Sequence, residues 1–306
     1  MKTYTHLTDL PRQIRKTAVA LGTFDGIHIG HQKIITAAVE LAAKAGSASV
    51  VFTFSNHPLT VIDPRRCPPQ ITTADEKARL IAALNVDILL SIPFTKDFLQ
   101  LAPREFIALL VKHLRPGHLI VGPNYHYGYK GEGTPENLKA AGEASGFDVF
   151  VHPAVYLHSQ LVSSTSIRQL IQQGRVNQAR HLLGRPPRIS GSVIVGDRRG
   201  RNLGFPTANI AIDDSLVTPG NGVYAVRSQV AGKHYNGVAN IGHNPTFPAN
   251  TRRIEVFLLD FSGDLYGQNI DVDFLEKLRD EKKFASVDEL TAQIAEDIRT
   301  AHKYYE

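Results

Sequence analysis

Leu21-Gly-Thr-Phe-Asp-Gly-Ile-His-Ile-Gly-His31 joins an apolar run to a helical pattern. Ala18 to Thr23 reads as a buried strand. From His31 onward Ile34, Ile35, Ala38, Val39, Leu41 and Ala42 recur at helical spacing, and Gly46 supplies a stop. The turn between strand and helix therefore brings His28, His31 and the free N–H groups of a helix start to one spot. Such a spot suits phosphate, because the donors are fixed and the helix dipole favours negative charge.

The same alternation continues on both sides. Ser49 to Phe54, Val86 to Ile92, His118 to Val121 and Phe147 to Val151 read as further strands. Helices open at the capping box Thr73-Ala-Asp-Glu76, at Pro103 and at Thr134-Pro135. Strands spaced by helices imply βαβ units and a parallel sheet with right-handed crossovers. Ser164 or Thr165 caps one more helix, and Val176 to Leu183 forms another. Gly184-Arg-Pro-Pro187 then breaks the pattern, which places the domain boundary at 185/186. Beyond it, Ile189–Val195, Gly222–Ser228, Tyr235–Asn240, Arg253–Phe261 and Gln268–Phe274 read as strands parted by Gly, Pro and Asp turns. That spacing fits an antiparallel barrel or sandwich. A second capping box, Ser286-Val-Asp-Glu289, opens a helix that covers the barrel from outside. The fold class is thus α/β followed by β.

The 306 residues suffice for two domains, each with its own core. A lone cysteine, Cys67, excludes a disulfide framework and a cysteine-based zinc cage, and fits a reducing compartment. No stretch approaches the ~20 apolar residues needed to span a bilayer, and the N-terminus lacks a signal-peptide pattern. A cytoplasmic protein is expected. The net charge is +5. Residues 1–185 hold 20 Lys and Arg against 13 Asp and Glu, whereas 186–306 hold 14 against 16. The basic residues are dispersed rather than clustered on a stripe or tail, so nucleic acid is not the expected partner. Small phosphorylated ligands fit the excess, and so does a merely soluble surface.

No GxxxxGK[ST] loop is present, and no GxGxxG follows the first strand. The two-histidine turn has a different chemistry open to it. Nucleotidyl transfer needs two phosphates aligned and charge neutralised as pyrophosphate leaves. His28 and His31 suit this as hydrogen-bond donors, and Gly22, Gly26 and Gly30 let backbone approach a nucleotide closely. Ser163-Ser-Thr-Ser-Ile-Arg168 supplies hydroxyls at a helix start followed by an arginine, which makes a second anion cradle. Downstream, Gly196, Gly200 and Gly204 punctuate a basic loop ending in Pro206-Thr-Ala-Asn209. Thr207 and Asn209 alternate along an extended segment and face the same side, so both oxygens can hold Mg²⁺ with ATP. Glu255 sits in an apolar run. It faces either the barrel mouth, where it can accept a proton, or the polar outer side.

GTFDGIHIGH together with SSTSIR resembles the HxGH nucleotidyltransferases. Within them it resembles the prokaryotic bifunctional riboflavin kinase/FMN adenylyltransferase family, also called FAD synthetases. VFTFSNHP (51–58) and VGPNYHYG (121–128) are similar to further elements of that family, except that Asn56 replaces a proline and Tyr125 and Tyr127 replace phenylalanines. GDRRGRNLGFPTANI, GVYAV, VANIGHNPTF, IEVFLLDF, DLYG and LRDEKKF follow in the order of riboflavin kinases.

The resemblance implies a Rossmann-like domain over 1–185 and a six-stranded barrel with a C-terminal helix over 186–306. It implies riboflavin, FMN, FAD and ATP as substrates and products, with Mg²⁺ as cofactor and flavin not held as a prosthetic group. It gives His28 and His31 catalytic roles in adenylyl transfer, with ATP contacts from Gly22, Phe24, Asp25, Gly30, Ser164, Thr165 and Arg168. FMN contacts fall to Asn56, Asn124, Tyr125 and Tyr127. In the kinase half it gives Glu255 the role of base, and ATP contacts to Gly196, Arg201, Gly204, Thr207 and Asn209. The HxGH string alone also fits another nucleotidyltransferase, such as one making a CDP-alcohol. A nucleotide-binding regulator is a further alternative, though no helix-turn-helix or basic tail supports it.

Overall fold

The computed structural model describes residues 1–11, 16–196, 204–243 and 252–305. The chain divides into two compact units, Met1–Ser164 and Thr165–Glu306.

The first unit is built on a six-stranded parallel sheet. Its strands are β1 (Lys2–Tyr4), β2 (Thr17–Leu21), β3 (Ala48–Phe54), β4 (Ile88–Ile92), β5 (Pro116–Val121) and β6 (Asp148–Val151), in the order β1-β4-β3-β2-β5-β6. A short hairpin follows, β7 (Tyr156–Leu157) with β8 (Gln160–Leu161). The connecting helices are α1 (Ile29–Ala45), α2 (Leu59–Ile62), α3 (Ala74–Ala82), α4 (Lys96–Leu99), α5 (Pro103–Leu114) and α6 (Pro135–Ser145). All five residues of β2 are buried, as expected for a central parallel strand covered on both faces. One face packs Val19, Leu21, Val50, Phe52 and Leu90 with Phe106 and Leu110 of α5. The other packs Ala18, Ala20, Val51 and Leu89 against Ile34, Ile35 and Ala38 of α1. The winding direction reverses between β2 and β5. Ligands of open α/β sheets bind in the crevice at such a reversal, beyond the carboxyl ends of the strands. The turn after β2 carries His28, and the turn after β5 carries Asn124 and Tyr125.

The second unit begins at Thr165, one residue into α7 (Ser164–Gln172), and continues with α8 (Val176–Leu183). Val176 enters the barrel core and Asn177 donates to Glu276 at 2.6 Å, so these helices pack with the barrel although they precede its strands. The closed antiparallel barrel runs β10 (Thr207–Ile210), β13 (Arg252–Leu258), β12 (Lys233–His243), β11 (Gly222–Val230), β14 (Asn269–Arg279) and β9 (Arg188–Ile194). Closure removes exposed strand edges. Helix α9 (Val287–Ala301) lies on the outside, where Ile298 and Ala301 meet Val223, Ala225, Val238 and Leu275. Arg279 on β14 fastens α9 by a forked ion pair to the buried Asp297, at 2.8–3.1 Å.

The longer strands and helices match the sequence pattern. Five short elements carry too little pattern to be read: β1, β7, β8, α2 and α4. β1 has only three residues and is recognisable solely through its pairing with β4.

Candidate active sites

The turn after β2 is backbone-strained. Phe24 and Ile27 have φ of 50° and 40°, and Gly26 between them has φ of 82°. Left-handed geometry at two bulky residues is costly and persists only where packing imposes it. Both side chains are 1% exposed, so the core holds the turn. Asp25 braces it from the other side. Its carboxylate accepts the Ile71 N–H at 2.9 Å and 3.2 Å and the Thr72 N–H at 3.4 Å, while Gly26 N–H donates to Thr72 Oγ1 at 3.3 Å. Ser164, the last residue of the first unit, donates its Oγ–H to the Asp25 carbonyl at 2.9 Å.

His28 is the N-cap of α1. Its Nδ1 accepts the His31 backbone N–H at 3.2 Å, and the two imidazoles stack with centroids 3.5 Å apart. Phe24 meets His31 edge-on at 5.2 Å. Because Nδ1 of His28 accepts, a neutral His28 carries its proton on Nε2. His31 is held well below the usual histidine range, first by burial, then by the charges of His28 and Lys77. Its buried Nδ1 has no hydrogen-bond partner among the described residues. Gly22 and Gly30 keep the cradle narrow. A Cβ at Gly22 would lie 2.9 Å from the Phe24 ring, and one at Gly30 would lie 3.2 Å from the His28 ring.

Aromatic rings extend from the ends of β3, β4 and β5. Phe94, Phe54, Phe98, Phe106, Tyr127 and Tyr125 follow one another at centroid distances of 5.0, 5.3, 5.9, 5.3 and 5.9 Å. Tyr125 and Tyr127 stack, and burial pushes both hydroxyls up. Tyr127 is 6% exposed, so one ring of the pair is a core residue as well as a wall. Asn56 is occupied by the fold. Its amide donates to Thr60 Oγ1 (2.9 Å) and the Phe94 carbonyl (3.1 Å) and accepts the Phe94 N–H (2.8 Å). Asn124 is exposed in the turn.

In the barrel, register decides the second site. Asn209 on β10 is paired with Glu255 on β13, and Glu255 with Asn240 on β12. Directly opposed residues share a face, with Cβ atoms about 5 Å apart. Ala208, Ile210, Ile254 and Val256 form the barrel core. Alternation therefore puts Thr207, Asn209, Glu255 and Asn240 on the outer wall, and Glu255 is not in the barrel mouth. Asn209 is 6% exposed, and its Oδ1 has no partner among the described residues. A Cβ at Gly196 would lie 2.1 Å from Asn209 Nδ2, so only glycine leaves that amide in place. Gly204 adopts φ of 82°. Arg201 and Gly200 lie outside the described residues.

A family model for FAD synthetase matches residues 10–166, and one for riboflavin kinase matches residues 183–305. A Bacillus subtilis protein named bifunctional riboflavin kinase/FMN adenylyltransferase is 38% identical over 294 residues, which is 95% of this chain and 93% of the relative. The Escherichia coli K12 protein of that name is 39% identical over 289 residues, 94% of this chain and 92% of the relative.

The chain belongs to the bifunctional riboflavin kinase/FMN adenylyltransferase family.

A solved structure described as a macrolide-efflux protein from Streptococcus pneumoniae has the same fold as this family member, with a TM-score of 0.89, 33% identity and 98% of each chain covered. No helix among the described residues here is long and apolar enough to cross a membrane.

The FAD synthetase match contains His28, His31, Asp25, Asn56, Asn124, Tyr125, Tyr127, Ser164 and Thr165. The riboflavin kinase match contains Gly196, Thr207, Asn209 and Glu255. Arg168 is buried and belongs, with Thr165, to the second compact unit.

Sequence reading passed over two residues that lie beside these groups. Lys77 is buried beneath the histidine turn, and Asn240 completes the row on the barrel wall. Lys77 follows the acidic pair of a capping box, where a lysine reads as ordinary helix surface. Asn240 gains its meaning only from strand register.

Proposed function

We propose that this family member carries out two consecutive ATP-dependent steps, with residues 1–185 serving adenylyl transfer and 186–306 serving phosphorylation. On the outer wall of the barrel, riboflavin presents its ribityl 5′-hydroxyl to Glu255. The carboxylate accepts the hydroxyl proton as the oxygen bonds the γ-phosphorus of ATP, and ADP leaves. The product is FMN. The orphaned, buried Oδ1 of Asn209 and the neighbouring Thr207 hydroxyl are hard oxygen donors, which suits Mg²⁺. When bound, Mg²⁺ would offset the charge of the ATP phosphates.

In the first unit a phosphate oxygen of FMN bonds the α-phosphorus of a second ATP, and pyrophosphate departs to leave FAD. The attacking group is already an anion, so no base is required. What the site must supply is alignment and charge neutralisation. The Nε2–H of His28, the free N–H groups at the start of α1 and His31 serve that need, beside the Ser164 hydroxyl of the same unit. Gly22, Phe24, Asp25 and Gly30 shape the ATP pocket. Tyr125 offers a ring face to the isoalloxazine, with the buried Tyr127 stacked behind it. Asn124 has its side chain available there, whereas Asn56 contributes by fixing the loop. The site needs no membrane, and a cytoplasmic setting agrees with a single cysteine.

The observation that carries this reading is the stacked, N-capping histidine pair at the sheet's winding reversal. Purified protein incubated with riboflavin and MgATP should yield first FMN and then FAD with pyrophosphate. Formation of neither flavin nucleotide would refute the reading.

A further inference from the structure

Lys77 on α3 is 4% exposed. Its Nζ donates to the Phe54 carbonyl at 2.8 Å and to the Thr23 carbonyl at 3.4 Å. The Thr23 carbonyl also accepts from Thr53 Oγ1 at 3.0 Å. One ammonium thus binds the carboxyl ends of β2 and β3, immediately before the strained histidine turn. An ammonium has three N–H groups. The third has no acceptor among the described residues.

Nor does any carboxylate among the described residues lie within ion-pair distance of Lys77. Burial lowers Lys77 from the usual lysine range; Asp25, whose oxygens accept the Ile71 and Thr72 N–H groups, opposes this only through space. Glu76, the adjacent residue on α3, pairs with Arg79 at 2.8 Å. Burying a cation without an anionic partner is expensive, and natural proteins rarely do so without use for it. Joining two strand ends needs a donor but not a charge. The charge is nonetheless felt at the site, since after burial and His28 it is a further cause that lowers His31.

We propose that Lys77 is the buried cation of the adenylyl-transfer site, and that the polyphosphate of ATP is its missing counter-ion. The inference rests on the assignment of adenylyl transfer to the histidine turn. Nucleotide arrival at the third N–H would complete the ammonium's hydrogen bonds and offset its charge. The departing pyrophosphate would keep that contact as its negative charge grows, so the interaction strengthens along the reaction.

The test uses the full chain with Lys77→Met and Lys77→Arg. Inorganic pyrophosphate binding is measured by calorimetry, and KM for ATP and for FMN in FAD formation is measured alongside. The thermal unfolding of the first unit, followed on the same samples, reports its folding. For Lys77→Met, pyrophosphate affinity and KM for ATP should worsen about ten- to hundredfold, the size of one charge-assisted hydrogen bond. KM for FMN should stay within about threefold on the same scale, and Lys77→Arg should recover part of the loss.

Equal losses for ATP and FMN would reduce Lys77 to a structural tie, and unchanged pyrophosphate affinity would overturn the proposal outright. If Lys77→Met fails to fold, the Nζ resonance of wild-type Lys77 decides. It should shift on addition of pyrophosphate, and an unmoved signal overturns the proposal. Wild-type protein that makes no FAD from FMN would instead refute the assignment of adenylyl transfer.

Discussion

Nδ1 of His28 caps the backbone N–H of His31 at 3.2 Å, and the two rings lie face to face at 3.5 Å. The capping bond fixes the tautomer of one ring, and the stack fixes the plane of the other. Preorganised donors of this kind need no rearrangement when a phosphate arrives, which is where electrostatic catalysis gains most. A charge on His28 at this separation repels one on His31, which adds to burial in lowering His31.

That arrangement predicts a pH dependence. His31 is lowered chiefly by burial. Below the unfolded histidine value of about 6.5, the unfolded chain takes a proton that folded His31 refuses. Stability of the first unit should therefore be intact above that pH and fall as pH drops toward the depressed folded value. The slope is at most about 1.4 kcal/mol per pH unit for one proton. Urea midpoints of wild type and His31→Gln, compared at pH 7.5 and 5.5, should show the larger drop in wild type. Parallel drops would contradict it.

Glu255→Gln keeps the size of the side chain and removes its basicity. FMN formation from riboflavin should fall about 10²- to 10⁴-fold, as for loss of a general base. FAD formation from supplied FMN should persist. Quantifying both products by chromatography separates the two effects.

Gly196→Ala drives a methyl group into the Asn209 amide, which a Cβ would approach to 2.1 Å. Displacing that amide should raise the Mg²⁺ concentration for half-maximal kinase rate about tenfold, equivalent to about 1.4 kcal/mol. A Mg²⁺ titration of riboflavin phosphorylation measures it, and adenylylation of supplied FMN should be unaffected.

Asp297→Ala leaves Arg279 half-buried without its carboxylate. Breaking such a pair from one side typically costs about 3–5 kcal/mol. Thermal unfolding of the barrel unit should shift downward accordingly, while the first unit melts as before.

Much of this architecture is legible in the residues themselves. The shift from helix-spaced apolar positions before Gly184 to turn-punctuated strands after it marks α/β followed by β. Thr73, Thr134 and Ser286 announce helix starts, and each side chain caps as its spacing predicts. The histidine turn stands out because local chain alone builds it. What stays hidden is whatever depends on distant pairing. Lys77 looks like helix surface until α3 is packed over the ends of β2 and β3. Glu255 alternates with apolar neighbours, and only its pairing with Asn209 and Asn240 shows which wall it occupies. Asn56 resembles a ligand contact in sequence, yet its amide is consumed by Phe94 and Thr60.

The separation of the two chemistries is tested most directly by His31→Ala supplied with riboflavin and MgATP. FMN should accumulate at the wild-type rate while FAD formation is lost. Loss of both products from folded protein, or undiminished FAD, would contradict a dedicated adenylyl-transfer site at His28 and His31.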